Sequence, residues 1–223
     1  MEMQEKHGKE VTDRQRWDQR YRDGTYAARA WPSAYLKRLR DDGLLLPGGR
    51  ALDVACGRGR NSHFLAAEGY IVDAVDVSGV AIAHAASAAI DQQARIRWQC
   101  RDVLAAPDPV PQNTYALIVM FRFVAPDLLA SLLHGLAPGG ILVLEEHLKW
   151  AGPEEISGPS SQRFRVTADE LSTQLAAVGV EFDVLDEFAG LIAESTDDGG
   201  QTKAAVSRMC IRRRSTYHRI DMG

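Results

Sequence analysis

Asp53, Gly57, Gly59, Asp76 and Asp102 are the residues whose types and spacing invite chemistry. In "LDVACGRGRNS" an acid stands four residues before the first of two glycines. Glycines just past a buried strand let the backbone approach a ligand closely and take positive φ. Asp76 ends the next apolar run, where a carboxylate can accept both hydroxyls of a ribose. Asp102 follows the third run, where its side chain or the next amide, that of Val103, can face an adenine. Three separate elements thus suit one adenosine moiety. The stretch is not a complete dinucleotide fingerprint, because Ser62 stands where a third glycine would be. Asp53 would also set negative charge beside a pyrophosphate. An acid there suits a cofactor with a cationic portion. Each residue has a plainer reading as well: a structural turn for the glycines, a turn cap for Asp53, a solvated strand end for Asp76 and a loop cap for Asp102. Cys56 reads as a small packing residue rather than a nucleophile.

The elements that must position these residues alternate. "RALDVA" predicts a buried strand and 60–68 a helix ending at Gly69. "YIVDAVDV" predicts a strand and 78–93 an Ala-rich helix with Ser78 as N-cap. "RIRWQC" is a strand, 105–113 a Pro-rich loop, "YALIVMF" a strand and 127–136 a helix. Pro138-Gly139-Gly140 reads as a turn into the strand "ILVLEEH". Apolar runs of this kind are expected of parallel strands covered on both faces, so the alternation predicts a doubly wound α/β sheet. Before this core come helices at 12–23, with Trp17 and Tyr21 on one face, and at 31–42. After it, residues 149–166 form a Gly-, Pro- and Ser-rich loop of the functional kind. A helix follows with Thr167 and Glu170 as a capping box. "EFDVLDEF" and "QTKAAVSRMCIRRR" then read as an edge hairpin around an acidic turn.

The chain has 223 residues, enough for a single domain over 1–223, with 1–11 read as disordered. A net charge of −4 disfavours a broad nucleic-acid surface, which would be basic. No apolar run reaches the ~18 residues of a membrane span, and the charged start does not read as a signal peptide. Cys56, Cys100 and Cys210 read as buried reduced thiols of a cytoplasmic protein. No CxxC or HExxH pattern appears, so no metal site is expected.

The order Asp53-x-x-x-Gly57-x-Gly59, Asp76, Asp102 resembles that of class I SAM-dependent methyltransferases, over about 50–145. "WDQRYRDGTYAARAWPSAYL", "DVACGRGRNSHFLAAEGYIVDAVDVS" and "HLKWAGPEEISGPSSQRFRVTADEL" are similar to the tellurite-resistance (TehB-like) group, which extends the likeness to about 12–175. The resemblance implies a Rossmann-like seven-stranded sheet, mostly parallel with an antiparallel last strand. It implies S-adenosyl-L-methionine as cofactor, Asp53 orienting its methionine part, Asp76 its ribose, and Asp102 with Val103 its adenine. Ala55, Cys56, Asn61, Val77 and Phe121 complete the implied cofactor wall with Gly57 and Gly59. Ala55 stands where many such enzymes have Gly, and Ala116 where many have an acid. "FRFVAP" after the fourth strand lacks the motif of amino-group nucleic-acid methyltransferases. A small-molecule acceptor is therefore expected, a thiol or chalcogen oxyanion among the options, with no nucleic acid or membrane partner.

On the acceptor side, Arg122 is placed to hold an anion or to form a structural salt bridge. His147 is placed to take a proton, or to be structural. One of Glu145 and Glu146 is expected to pair with a nearby Arg. Arg163 and Arg165 either enter the site or lie in solvent, and Arg212, Arg213 and Arg214 read as a solvated run. The helical segment 12–45 and loop 149–166 are expected to close over substrate. Two alternatives stay open: a SAM-binding protein without transferase activity, and an NAD-dependent oxidoreductase, against which Ser62 and Asp53 count.

Overall fold

The computed structural model describes residues 12–24, 27, 29–88, 95–105, 109–196 and 199–215. The expectation for 1–11 lies outside them. Seven strands, β1 (Arg50–Val54), β2 (Ile71–Asp76), β3 (Ile96–Cys100), β4 (Tyr115–Phe121), β5 (Leu136–His147), β6 (Phe182–Ser195) and β7 (Gln201–Arg213), form one sheet in the order β3-β2-β1-β4-β5-β7-β6. The pairs from β3 to β5 are parallel, and β7 runs antiparallel to both β5 and β6. This is the doubly wound, mostly parallel Rossmann-like sheet expected. The strand order reverses between β1 and β4, which opens a crevice at their carboxyl ends.

The period of two sorts the core. Leu117 and Val119 of β4 join one buried cluster with Leu36, Leu39 and Leu65; Ile118 and Met120 join the other with Leu132, Leu133, Leu171 and Leu175. Among the described residues the α-helices are α1 (Asp13–Arg22), α2 (Ala34–Asp41), α3 (Arg60–Ala67), α4 (Gly79–Ala88), α5 (Leu129–Gly135) and α6 (Glu170–Ala177). The first cluster draws on α2 and α3, the second on α5 and α6. Thr12 and Gln15 form a capping box for α1, and Ser78 Oγ accepts from Ala81 N at 3.1 Å to cap α4. Gln15 acts here as the reciprocal partner three residues on.

Several details differ from expectation. β5 begins at Leu136 and runs through Pro138–Gly140, with a register shift against β4 between Tyr115 and Leu117. The expected turn is thus absorbed as a strand irregularity, where Gly139 takes φ +79°. Only half of the Thr167–Glu170 box forms: Thr167 N donates to Glu170 Oε2 at 2.9 Å, while the Thr167 hydroxyl turns to Asp169. Cys100 is exposed at the end of β3, unlike buried Cys56 and Cys210. Arg213 is not merely solvated, since it donates to Asn113 Oδ1 at 2.7 Å and to the His134 carbonyl at 3.3 Å. Among the described residues no helix is long and apolar enough to cross a membrane, and no cluster of ligating side chains fits a metal ion.

Candidate active site

A cavity of about 750 Å³ opens at the carboxyl ends of β1, β2 and β4. That size lies within the range of small-ligand sites, roughly 300–1,000 Å³. Its wall brings together Asp53, Ala55, Cys56, Gly57, Asn61, Asp76, Val77, Asp102, Val103, Phe121, Arg122 and His147. Gly59 alone of the sequence-predicted site residues is not on the wall, and it shapes the loop from behind. It caps α3 with φ +77°, and a Cβ there would stand 2.5 Å from the Trp98 ring.

The loop between β1 and α3 turns tightly, with Ala55 at φ +54° and Gly57 at φ +55°. Left-handed backbone at a residue with a Cβ stores about 1–3 kcal/mol of strain and gathers at functional edges. It also explains why Ala55 occupies a position that glycine suits. A Cβ on Gly57 would meet the Tyr21 hydroxyl at 2.7 Å, so α1 lies directly against the loop. Buried Asp76 fastens the loop from below: its Oδ2 accepts from Gly57 N and its Oδ1 from Ser78 N, each at 2.8 Å. Burial raises its pKa despite those amides. Asp53 is buried too, accepts from Ser62 Oγ at 2.6 Å, and is pushed by burial to about 7. Ser62, the residue that breaks the dinucleotide fingerprint, is thus the hydroxyl partner of Asp53. Burial likewise raises the Cys56 thiol, which leaves it unreactive at neutral pH.

Other predicted residues carry local duties. Asn61 Oδ1 accepts from Ser33 N at 2.9 Å and ties α3 to the start of α2. Exposed Asp102 accepts from Leu104 N at 2.9 Å, a loop cap at the cavity rim. Trp17 and Tyr21 both line the cavity, with ring centroids 6.0 Å apart.

The far end of the cavity is built around Arg122, which itself has φ +59°. Each of its nitrogens already donates: Nε to Glu145 Oε1 at 3.0 Å, Nη1 to His147 Nδ1 at 2.7 Å, and Nη2 to Glu194 Oε1 at 3.3 Å. Arg208 takes the second oxygen of Glu145 at 2.7 Å. Burial alone would raise the Glu145 carboxyl, but the two guanidinium groups hold it below its ordinary value. Among the described residues its neighbour Glu146 forms no ion pair, although the charge of Arg122 reaches it. It accepts from Phe123 N at 3.2 Å, leaves Oε2 without a partner, and is pushed by burial to about 8. Burial, then Arg122, depresses His147 to about 3.

Loop 149–166 closes this end. Arg165 is neither in the cavity wall nor in solvent. It is 6% exposed and spans the carbonyls of Leu148, Ser157 and Pro159 at 2.9–3.2 Å. Arg163 stacks over Phe164 at 4.5 Å. Sequence reasoning missed Glu194, Arg60 and Arg29 in the wall, and expected loop 149–166 over the site without singling out Ser157 and Gly158. Arg60 sat within the quoted motif, whereas Glu194 arrives on the β6–β7 hairpin with no local signal.

Residues 51–140 match the family model described as a methyltransferase domain. A hemagglutinin 1 from Eikenella corrodens is 33% identical over 95 residues, 41% of this chain and 32% of that protein. The match thus spans about a third of the length of that curated relative. TehB from Haemophilus influenzae is 19% identical with a TM-score of 0.66, over 88% of this chain and 67% of that one. A Burkholderia thailandensis 1,6-didemethyltoxoflavin-N1-methyltransferase, solved with bound 1,6-didemethyltoxoflavin and S-adenosylhomocysteine, is 19% identical over 91% and 87% of the chains, with a TM-score of 0.62. At such identities the shared property is the fold.

Proposed function

We propose that this chain, whose residues 51–140 match the methyltransferase-domain model, is a class I SAM-dependent methyltransferase that moves the sulfonium methyl of S-adenosylmethionine to a small-molecule acceptor. The observation that carries the reading is one cavity wall holding Asp53, Gly57, Asp76 and the Asp102–Val103 edge together. The donor set fits the cofactor. An ionised carboxylate offers about four lone-pair positions, and backbone amides use two of those on Asp76, which leaves two for ribose hydroxyls. Asp53, held near neutrality by burial, gains a reason to ionise when a cation sits above it. Bound there, the cofactor supplies an activated methyl with a neutral thioether as leaving group.

The chain's own work is then positioning and exclusion of water. Asp102 and Val103 border the adenine end, Phe121 and Val77 the apolar wall. Arg122, held left-handed and fixed on three sides, sets the electrostatics of the acceptor end. His147 stands there as a neutral group whose Nδ1 is already engaged, so an acceptor that arrives as an anion suits this site better than one needing a base. A thiolate or a chalcogen oxyanion meets that condition. Segment 12–45 and loop 149–166 cover the reactants.

Methyl-labelled cofactor offered with a thiol, selenite and tellurite tests the reading. Label is expected in at least one acceptor. Tight cofactor binding with no label transferred across the panel would favour a SAM-binding protein without transferase activity.

A further inference from the structure

The carboxylate of Glu194 reaches the acceptor end of the cavity from the open end of the β6–β7 hairpin, where Glu194 stands opposite Thr202. Its Oε1 accepts from Arg122 Nη2 at 3.3 Å and its Oε2 from Ser157 Oγ at 3.5 Å. Both contacts are long, since charge-assisted hydrogen bonds ordinarily run about 2.5–2.9 Å. Glu145 holds Arg122 quite differently. Its side chain is 4% exposed, and Arg122 and Arg208 engage its two oxygens at 3.0 and 2.7 Å. The Glu194 side chain is 21% exposed and shares the cavity wall with Arg122, His147 and Ser157. Glu145 thus fixes the guanidinium, whereas Glu194 rests on it loosely from the cavity side.

An anionic acceptor entering this end meets a carboxylate already in place. Like charges side by side in a partly desolvated site repel, and the Ser157 hydroxyl has one proton to donate. We propose that Glu194 is an exchangeable occupant of the acceptor subsite: an oxyanion group of the acceptor displaces its carboxylate and takes the Arg122 Nη2 and Ser157 Oγ donors. The group is a carboxylate or a chalcogen oxyanion, each with two oxygens to replace the two that leave. A lone thiolate has one acceptor atom and replaces only one of them. Glu194 therefore sets specificity as well as occupancy. That this end receives the acceptor rests on the methyltransferase reading above.

Calorimetry of malonate and of selenite into the full chain loaded with S-adenosylhomocysteine tests the exchange, with Glu194→Gln beside wild type. The loaded nucleoside keeps both anions out of its own half of the cavity. A subsite that Glu194 fills about nine-tenths of the time weakens apparent anion affinity about tenfold, so Glu194→Gln is expected to tighten at least one anion by that factor. A gain for malonate alone marks a carboxylate as the ligand group, for selenite alone a chalcogen oxyanion, and for both their shared two-oxygen chemistry. The hairpin reports the displacement itself. Amide hydrogen exchange over 191–195 and 201–203 should rise about threefold or more when the anion binds wild type, and stay unmoved by the anion in Glu194→Gln. Tighter anion binding in the variant with no anion-dependent exchange in wild type would reflect loss of a nearby charge alone, and overturns the proposal. So does unchanged affinity for both anions, or binding of neither to Glu194→Gln. If S-adenosylhomocysteine does not bind wild type, the cofactor reading fails by itself, and the same comparison on the free chain still decides the exchange.

Discussion

A guanidinium can only donate, so the shorter of Arg122's two contacts with the His147 ring, 2.7 Å to Nδ1 against 3.4 Å to Nε2, calls for a lone pair on Nδ1. The depressed value of about 3 follows from the same contact together with burial. His147 is therefore a fixed neutral ring, and the loop facing it must leave room. Gly158 does so: at φ +104° a Cβ would stand 2.5 Å from His147 Cε1 and 2.7 Å from Nδ1. Gly158→Ala is expected to destabilise the fold by about 1–3 kcal/mol, partly through backbone strain and partly through this collision. Urea unfolding of the single variant and of Gly158→Ala made on a His147→Ala background separates the two. The penalty should shrink by about half or more once the ring is gone. An undiminished penalty would mean that the loop does not rest on the imidazole.

At the scale of elements, α1 is fastened to the cavity wall through α4. Asp18 Oδ1 accepts from Ser78 Oγ at 2.6 Å and from Val80 N at 3.2 Å, while Ser78 N donates to Asp76. A carboxylate at a helix N-terminus is worth roughly 0.3–1 kcal/mol. Here it also holds Trp17 and Tyr21 at the cavity. Asp18→Ala is expected to raise amide exchange across Asp13–Arg22 and to weaken S-adenosylhomocysteine by about three- to tenfold, with the thermal midpoint changed little. Unchanged affinity with α1 freely exchanging would remove that helix from the binding account. The unit from β1 to α3 is legible in the sequence because an apolar run, two glycines and a helical period all mark it. Asp76 is legible because it ends a strand. The elements that cover the cavity are not. Tyr21 against Gly57, Gly158 against His147 and Glu194 against Arg122 join residues 36, 11 and 72 apart, and no local period reports such approaches.

For the whole molecule, buried acids and the buried ring set opposing dependences on pH. Glu146 is pushed up to about 8 from 4.5 and Asp53 to about 7 from 3.8. Folded values above unfolded ones mean that their stabilising effect is fully present below the unfolded values and is lost as pH rises toward 7–8. His147 has the reverse sign: its effect is present above 6.5 and lost as pH falls toward 3. Glu146→Gln keeps an acceptor for Phe123 N–H and removes the ionisation. Relative to wild type, the variant should therefore gain stability between pH 5 and pH 8.5, on the order of a few kcal/mol, measured by urea unfolding at both. Parallel stabilities at the two pH values would show that Glu146 does not titrate in the core.

All of this presumes that the crevice where the strand order reverses receives an adenosyl amino acid. Calorimetric titration of S-adenosylhomocysteine and of NAD into wild-type and Asp76→Asn protein tests that most directly. Saturable one-to-one binding of S-adenosylhomocysteine, about tenfold or more weaker in Asp76→Asn, and no heat from NAD are the expected results. Binding of NAD with none of S-adenosylhomocysteine, or an affinity indifferent to Asp76→Asn, would contradict it.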